Sequence, residues 1–179
     1  IASAFKKLGF EVLLKLDLTK TETDAAFKVF SQKAEKSAVA AFFYAGHGMQ
    51  INGGNYIVPI DANPRSERDI KREMLKMDDV IDDMGSAKIK LVFFDACRDN
   101  PFDNELATKG LAPVDAPPGT FMAFATAAGN IAADAHPSSS GNGLYTRFLL
   151  EELGKPAARL EDVFKRVKLQ VRQQSGGRQ

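Results

Sequence analysis

Two short apolar runs dominate the hydrophobic pattern of this chain. One covers residues 37–44 and the other ends with Leu91–Phe94, and both contain valine and two or more aromatic side chains. Apolar runs of this length predict strands that are buried on both faces. Strands of that kind belong to parallel sheets with helices on either side. We therefore expect an α/β protein in which these two runs form neighbouring strands of the sheet.

Weaker patterns predict the remaining elements. Further strands are expected at residues 10–16 and 120–126, with a β-hairpin made of residues 49–51 and 56–60 around an Asn/Gly turn. Helices with apolar stripes are expected at residues 1–8, 77–84, 144–153 and 160–173, and one more is expected after the polar loop 17–24. Gly9 would end the first helix. Thr21 or Thr23 would cap the helix after the polar loop, and Asp78 would cap the helix at 77–84. Residues 61–72 and 103–119 are expected to be loops. This order fits one three-layer α/β/α sandwich over residues 1–179, with a mostly parallel sheet and a β-hairpin insertion.

Composition narrows the classes of function. The 179 residues include 24 basic and 23 acidic side chains, a formal net charge of +1, so nothing in the charge balance suggests nucleic acid as a partner. The single cysteine excludes an internal disulfide and a zinc site built from several cysteines. No apolar run approaches the roughly 20 residues of a membrane span.

Reactive side chains follow both apolar runs. Asp95 and Cys97 come directly after the second run, and His47 follows the first between Gly46 and Gly48. Because ligands bind beyond the carboxyl ends of strands in open α/β sheets, we expect His47 and Cys97 to emerge at the same edge. An imidazole beside a thiol is the minimal equipment for nucleophilic catalysis. The alternative is a buried structural cysteine and a histidine without a catalytic role.

These motifs carry a resemblance to a known family. Tyr44–Gly48 (YAGHG), Tyr56–Asp61 (YIVPID) and Asp95–Arg98 (DACR) resemble the caspase-like cysteine peptidases of clan CD, the peptidase C14 family. Among these, the chain is most similar to the bacterial metacaspase-like proteins, also called orthocaspases. The resemblance continues at residues 110–112, 124–127 and 142–146. His47 precedes Cys97 by 50 residues, a spacing that is itself part of the resemblance to caspases.

The resemblance implies a cysteine endopeptidase that works through a covalent acyl-enzyme. Cys97 would be the nucleophile and His47 the general base and acid. The backbone amides of Gly48 and Cys97 would form the oxyanion hole. Asp95 would line the substrate pocket and select Arg or Lys before the scissile bond, although it could instead cap a helix or pair with Arg98. The substrate would then be a polypeptide with a basic residue at that position.

The resemblance also implies further substrate contacts. Ala45 stands where many metacaspases have serine beside the pocket. The small residues Ala125, Thr126 and Ala127 could pair with a peptide by strand addition, or they could be an ordinary sheet edge. Asp134, in the loop that follows, could supply a second acid to the pocket.

The chemistry requires no cofactor, but calcium is a candidate activator because many metacaspases need it. Asp61, Asp78 and Asp79 occupy similar positions to the family's calcium ligands, and Ca²⁺ prefers six to eight oxygen ligands. Helix capping by Asp78 and a turn at Asp61 are equally good explanations. Lys109 is a candidate self-cleavage site in the loop after the nucleophile. A fragment of the same protein from upstream of Ile1 is a candidate partner.

The family's sheet has six strands, and its first strand should precede Ile1. We therefore expect this chain to be N-terminally truncated and to lack that strand. The alternative to an enzyme is a catalytically silent caspase-like domain that recruits partner proteins. Because such domains usually lose the histidine or the cysteine, the presence of both favours the enzyme. The compartment stays open, and a soluble protein of the bacterial cytoplasm or periplasm is expected.

Overall fold

The computed structural model describes residues 1–97, 114–125, 142–156 and 159–177, and for Cys97 it describes the backbone only. The helices are α1 (Ala2–Lys7), α2 (Lys20–Ala34), α3 (Glu67–Glu73), α4 (Met77–Asp83), α5 (Leu144–Leu153) and α6 (Leu160–Gln174). The strands are β1 (Val39–Ile51), β2 (Gly54–Ile57), β3 (Leu75–Lys76), β4 (Ile89–Cys97) and β5 (Thr120–Phe124).

The strands form one open sheet in the order β3-β2-β1-β4-β5. Strands β1, β4 and β5 run parallel, whereas β1–β2 and β2–β3 are antiparallel pairs. The predicted α/β fold is confirmed. The expectation of a mostly parallel sheet holds only for its β1-β4-β5 side, because the hairpin adds two antiparallel ladders to the same sheet.

Alternation along the central strands separates the two faces of the sheet. Leu91 and Phe93 pack with α1, α5 and α6, whereas Val92 and Phe94 pack with residues of α2 and α4. This alternation follows from the two-residue period of side chains along a strand. Since both faces of β4 are covered by helices, its sequence is a continuous apolar run, and the three-layer arrangement is the predicted one.

The hairpin turn is tighter than its predicted boundaries. Asn52 and Gly53 both have positive φ, at 48° and 76°. Two consecutive positive φ values define a type I′ turn, whose twist matches that of the strands it joins. β2 therefore begins at Gly54, and β1 continues without interruption from Val39 to Ile51. The prediction that the first apolar run and the hairpin are separate strands was wrong.

The strand predicted at residues 10–16 is absent. The segment forms no helix or strand and pairs with no strand in the part of the chain that the structure describes. Leu14 and Leu16 are 60% and 72% exposed. The apolar composition of this segment is typical of a strand, but a strand also needs a neighbour for its backbone hydrogen bonds.

One polar stretch and two helix caps were also misassigned. Residues 67–73, of which 67–72 were expected to be loop, form α3, which has Ser66 as its N-cap and is anchored by the buried Ile70. The cap of α2 is Thr19, which forms a capping box with Glu22, and the N-cap of α4 is Lys76 rather than Asp78. Caps are decided by one or two local hydrogen bonds, so neighbouring polar residues compete for the role. None of the helices in the described ranges is long and apolar enough to cross a membrane.

Candidate active site

The candidate site lies where the parallel pairing of β1 and β4 ends. In that ladder Ala45 pairs with Asp95, and the last pair is His47 with Cys97. The backbones of the two proposed catalytic residues are therefore adjacent. His47 does not end a strand as predicted, because from Gly48 onward β1 pairs with β2 in the antiparallel sense. The change of partner takes place at the histidine, whose side chain is exposed.

Tyr44 fixes the backbone at this change of partner. Its hydroxyl donates a hydrogen bond to the carbonyl oxygen of His47 over 2.7 Å and lies 3.5 Å from the carbonyl oxygen of Val58. The amide of Val58 also donates to the His47 carbonyl, over 3.2 Å. Burial raises the pKa of Tyr44 to about 12, so its hydroxyl stays protonated and remains a donor throughout the neutral range. Sequence reasoning missed this contact, since Tyr44 looks like one more aromatic residue of a buried strand.

The glycines that flank His47 lie in closely packed surroundings. A Cβ atom at Gly46 would lie 2.6 Å from the hydroxyl oxygen of Tyr44 and 2.8 Å from its Cζ. At Gly48 it would lie 3.0 Å from Cε1 of Phe94 and 3.1 Å from Cβ of Ala96. Side chains from the same strand and the next one therefore occupy the space beside both glycines.

Asp95 is held by the first turn of α5. The hydroxyl of Thr146 donates to Oδ2 of Asp95 over 2.5 Å. Tyr145, the preceding residue, is buried, and burial together with the charge of Asp95 raises the pKa of its phenol. Sequence reasoning used residues 142–146 only for the resemblance and missed the role of Thr146. A threonine in the first turn of a helix with an apolar stripe was the signal available.

The other predicted substrate contacts are only partly within the described residues. Ala45 is exposed beside Asp95. Ala125 is 5% exposed, packs into the core on the α5–α6 face, and donates its amide to the carbonyl of Phe94 over 3.0 Å. The predicted site residues that lie outside the described residues are Thr126, Ala127, Asp134 and Lys109.

The three candidate calcium ligands each take part in another interaction. Oδ1 of Asp61 accepts a hydrogen bond from the amide of Lys20 over 2.8 Å, at the start of α2. Asp78 pairs with Lys76 over 2.5 Å. Asp79 lies on α4, where its charge, after burial, helps to raise the pKa of Asp83. Among the described residues, no group of three or more histidine, cysteine or acidic side chains could hold a metal ion. A calcium site therefore stays a prediction.

Comparison with known proteins agrees with the caspase-like resemblance of the sequence. The family model of the caspase domain matches residues 1–179. The human mucosa-associated lymphoid tissue lymphoma translocation protein 1 is 30% identical over 158 residues, which are 86% of this chain and 18% of that protein. The homologue from Mus musculus matches with the same identity and coverage. The chain thus spans less than a fifth of the length of these curated relatives.

Proposed function

The chain belongs to the caspase-domain family of peptidases, and we propose that it is a cysteine endopeptidase that cleaves peptide bonds after Arg or Lys. The observation that carries this proposal is the register pair formed by His47 and Cys97. The pairing brings the only cysteine of the chain beside one of its two histidines, at the end of a parallel ladder. A kinship with the metacaspase-like branch and a bacterial origin remain predictions.

In the proposed reaction, the thiolate of Cys97 attacks the carbonyl carbon of the scissile bond, and His47 holds the proton that the thiol has lost. The tetrahedral intermediate collapses when the C–N bond breaks and His47 gives this proton to the departing amine. Water then attacks the thioester with His47 as base, and the acid is released with regeneration of the thiol. The amides of Gly48 and Cys97 would stabilise the oxyanion at both stages.

A basic residue before the scissile bond is proposed because Asp95 lies in register with Ala45, two residues ahead of the His47–Cys97 pair. A carboxylate at that point can bind a guanidinium or ammonium group through charge-assisted hydrogen bonds. The small, exposed Ala45 leaves space beside it. We further propose that residues 125–127 pair with the substrate backbone, that Asp134 adds a second acid, and that Lys109 is a self-cleavage site.

The test is hydrolysis of fluorogenic peptides that end in Arg, Lys or Asp, with and without calcium. Cleavage after Arg or Lys by the unaltered chain, abolished by Cys97→Ala and by His47→Ala and strongly reduced by Asp95→Asn, is the expected result. Cleavage after Asp would contradict the role given to Asp95. A requirement for calcium would support a metal site. Absence of cleavage by folded protein would favour the catalytically silent, partner-recruiting domain.

A further inference from the structure

We infer that Thr146 is a specificity-determining positioning residue, which orients the carboxylate of Asp95 so that the pocket prefers Arg to Lys. This inference rests on the proposed function, because it concerns the same pocket. It goes beyond that function in assigning a role to a residue of α5 and in ranking the two basic substrates. The contact that supports it joins two residues 51 positions apart in the sequence.

Burial and helix packing restrain the position of the Thr146 hydroxyl. Thr146 is the third residue of α5 and is only 6% exposed. Leu149, three residues further along the helix, is fully buried and fixes the helix against the core. A β-branched side chain in a helix has few accessible rotamers. The hydroxyl therefore has few positions available relative to the sheet, and its 2.5 Å hydrogen bond restrains Oδ2 of Asp95.

The orientation of the Asp95 carboxylate affects the binding of an Arg side chain more than the binding of a Lys side chain. Arginine presents a planar fork of N–H donors that matches a carboxylate in two parallel hydrogen bonds, so the plane of the carboxylate must be correct. Lysine presents a compact charge with three rotatable donors, and its attraction depends mainly on distance. The hydrogen bond from Thr146 occupies one of about four acceptor sites of an ionised carboxylate and restrains the orientation of the group through Oδ2.

The backbone of α5 stabilises the negative charge of Asp95 independently of the side chain of Thr146. Asp95 lies at the first turn of α5, whose N-cap is Gly143 and has no side-chain cap. The amide groups at a helix N-terminus favour a nearby negative charge. This effect comes from the backbone and persists when the side chain of Thr146 is changed. Loss of the hydroxyl should therefore alter the orientation of the carboxylate more than its charge, and so affect Arg more than Lys.

The experiment compares Thr146→Val, which keeps the shape but removes the donor, with Thr146→Ser, which keeps the donor. The matched control is Tyr145→Phe, because the buried hydroxyl of Tyr145 makes no hydrogen bond within the described structure. The measured quantity is kcat/KM for peptides that differ only in Arg or Lys before the scissile bond. Circular dichroism and thermal unfolding establish that each variant is folded.

Thr146→Val is expected to lower kcat/KM for the Arg peptide about tenfold, the effect of one charge-assisted hydrogen bond, and for the Lys peptide by about twofold or less. Thr146→Ser should keep the Arg-to-Lys ratio within about twofold of the original. Tyr145→Phe should leave it unchanged. An equal loss for both peptides in folded Thr146→Val, or an unchanged ratio, would overturn the inference.

A binding measurement separates this inference from the proposed function. NMR titration of Cys97→Ala protein with butylguanidinium and with butylammonium reports on the pocket without catalysis. Introducing Thr146→Val is expected to weaken butylguanidinium binding several-fold more than butylammonium binding. If the unaltered chain cleaves neither peptide, the proposed function fails, and this titration decides the inference alone. Equal weakening, or no binding of either cation, would overturn it.

Discussion

His47 and Cys97 form the last register pair of the parallel ladder between β1 and β4. Neighbouring strands lie about 4.8 Å apart, and the ladder hydrogen bonds hold that spacing. The proximity of the two residues is therefore a property of the sheet backbone and does not depend on loop conformation. It should influence the reactivity of the thiol even in the absence of substrate.

We predict that His47→Ala slows the alkylation of Cys97 by iodoacetamide about tenfold at pH 6 to 7. The physical reason is that an adjacent imidazolium stabilises the thiolate, which is the reactive form. Because the chain has a single cysteine, mass spectrometry of the intact protein measures this one site. His136→Ala, which removes the other histidine, is the control and should leave the rate unchanged. Equal rates for His47→Ala and the unaltered chain would show that the two side chains do not interact.

Gly46→Ala should reduce peptidase activity severely, by about tenfold or more. The new methyl group would lie 2.6 Å from the hydroxyl of Tyr44, far inside van der Waals contact, and the ring of Tyr44 packs against Phe94 at a centroid distance of 5.1 Å. Relief of the clash requires the Tyr44–His47 contact to break, at a cost of about 1 to 3 kcal/mol. Measurement of kcat/KM and of the unfolding free energy checks this. The control is Gly154→Ala, where the nearest atom would be at 3.5 Å and both quantities should stay close to their original values.

Tyr44→Phe removes the hydrogen bond to the His47 carbonyl and should lower the unfolding free energy by about 1 kcal/mol at pH 8. The pKa of Tyr44 is raised to about 12 from an ordinary value of 10.0. The stability linked to this shift is fully present below pH 10 and is lost as the pH rises towards 12. Urea titrations between pH 8 and 11 should therefore show the difference between the two proteins shrinking above pH 10. A constant difference over that range would contradict the assignment of a buried phenol.

Glu152→Gln should lower the unfolding free energy by about 2 to 3 kcal/mol at pH 7. Glu152 is 2% exposed and joins α5 to α6 through Arg166, at 2.6 Å, and also binds Lys155. Hydrogen bonds from these two side chains hold its pKa below the ordinary value. The stabilisation is therefore present above about pH 4.5 and is lost as the pH falls through the folded pKa.

Chemical denaturation at pH 7 and at pH 3 tests this assignment. The loss caused by Glu152→Gln should be largest at pH 7 and smaller at pH 3. Glu151→Gln is the matched control, because Glu151 is 51% exposed and lies 4.0 Å from Arg147. Its effect should stay within about 0.5 kcal/mol. A similar small effect from Glu152→Gln would show that the α5–α6 contact does not depend on this carboxylate.

The sequence predictions were most successful for elements whose hydrophobic pattern lies entirely within their own residues. The buried run of β4 and the stripe of α6, with Val163, Val167 and Val171 facing the core, were confirmed. Predictions failed where the outcome depends on a partner. Residues 10–16 have the composition of a strand but no strand beside them in the described ranges, and α3 forms in a polar stretch around the single buried anchor Ile70.

The sequence by itself determined the identity of the reactive groups, their positions after two buried runs, and membership of the family that the matching model shows. Only the tertiary structure decided that Cys97 pairs with His47 and that Thr146 reaches Asp95. The physical reason is the distance along the sequence between the residues that interact. Hydrophobic periodicity reports on neighbours within a few residues, whereas strand register and helix docking join residues about 50 positions apart.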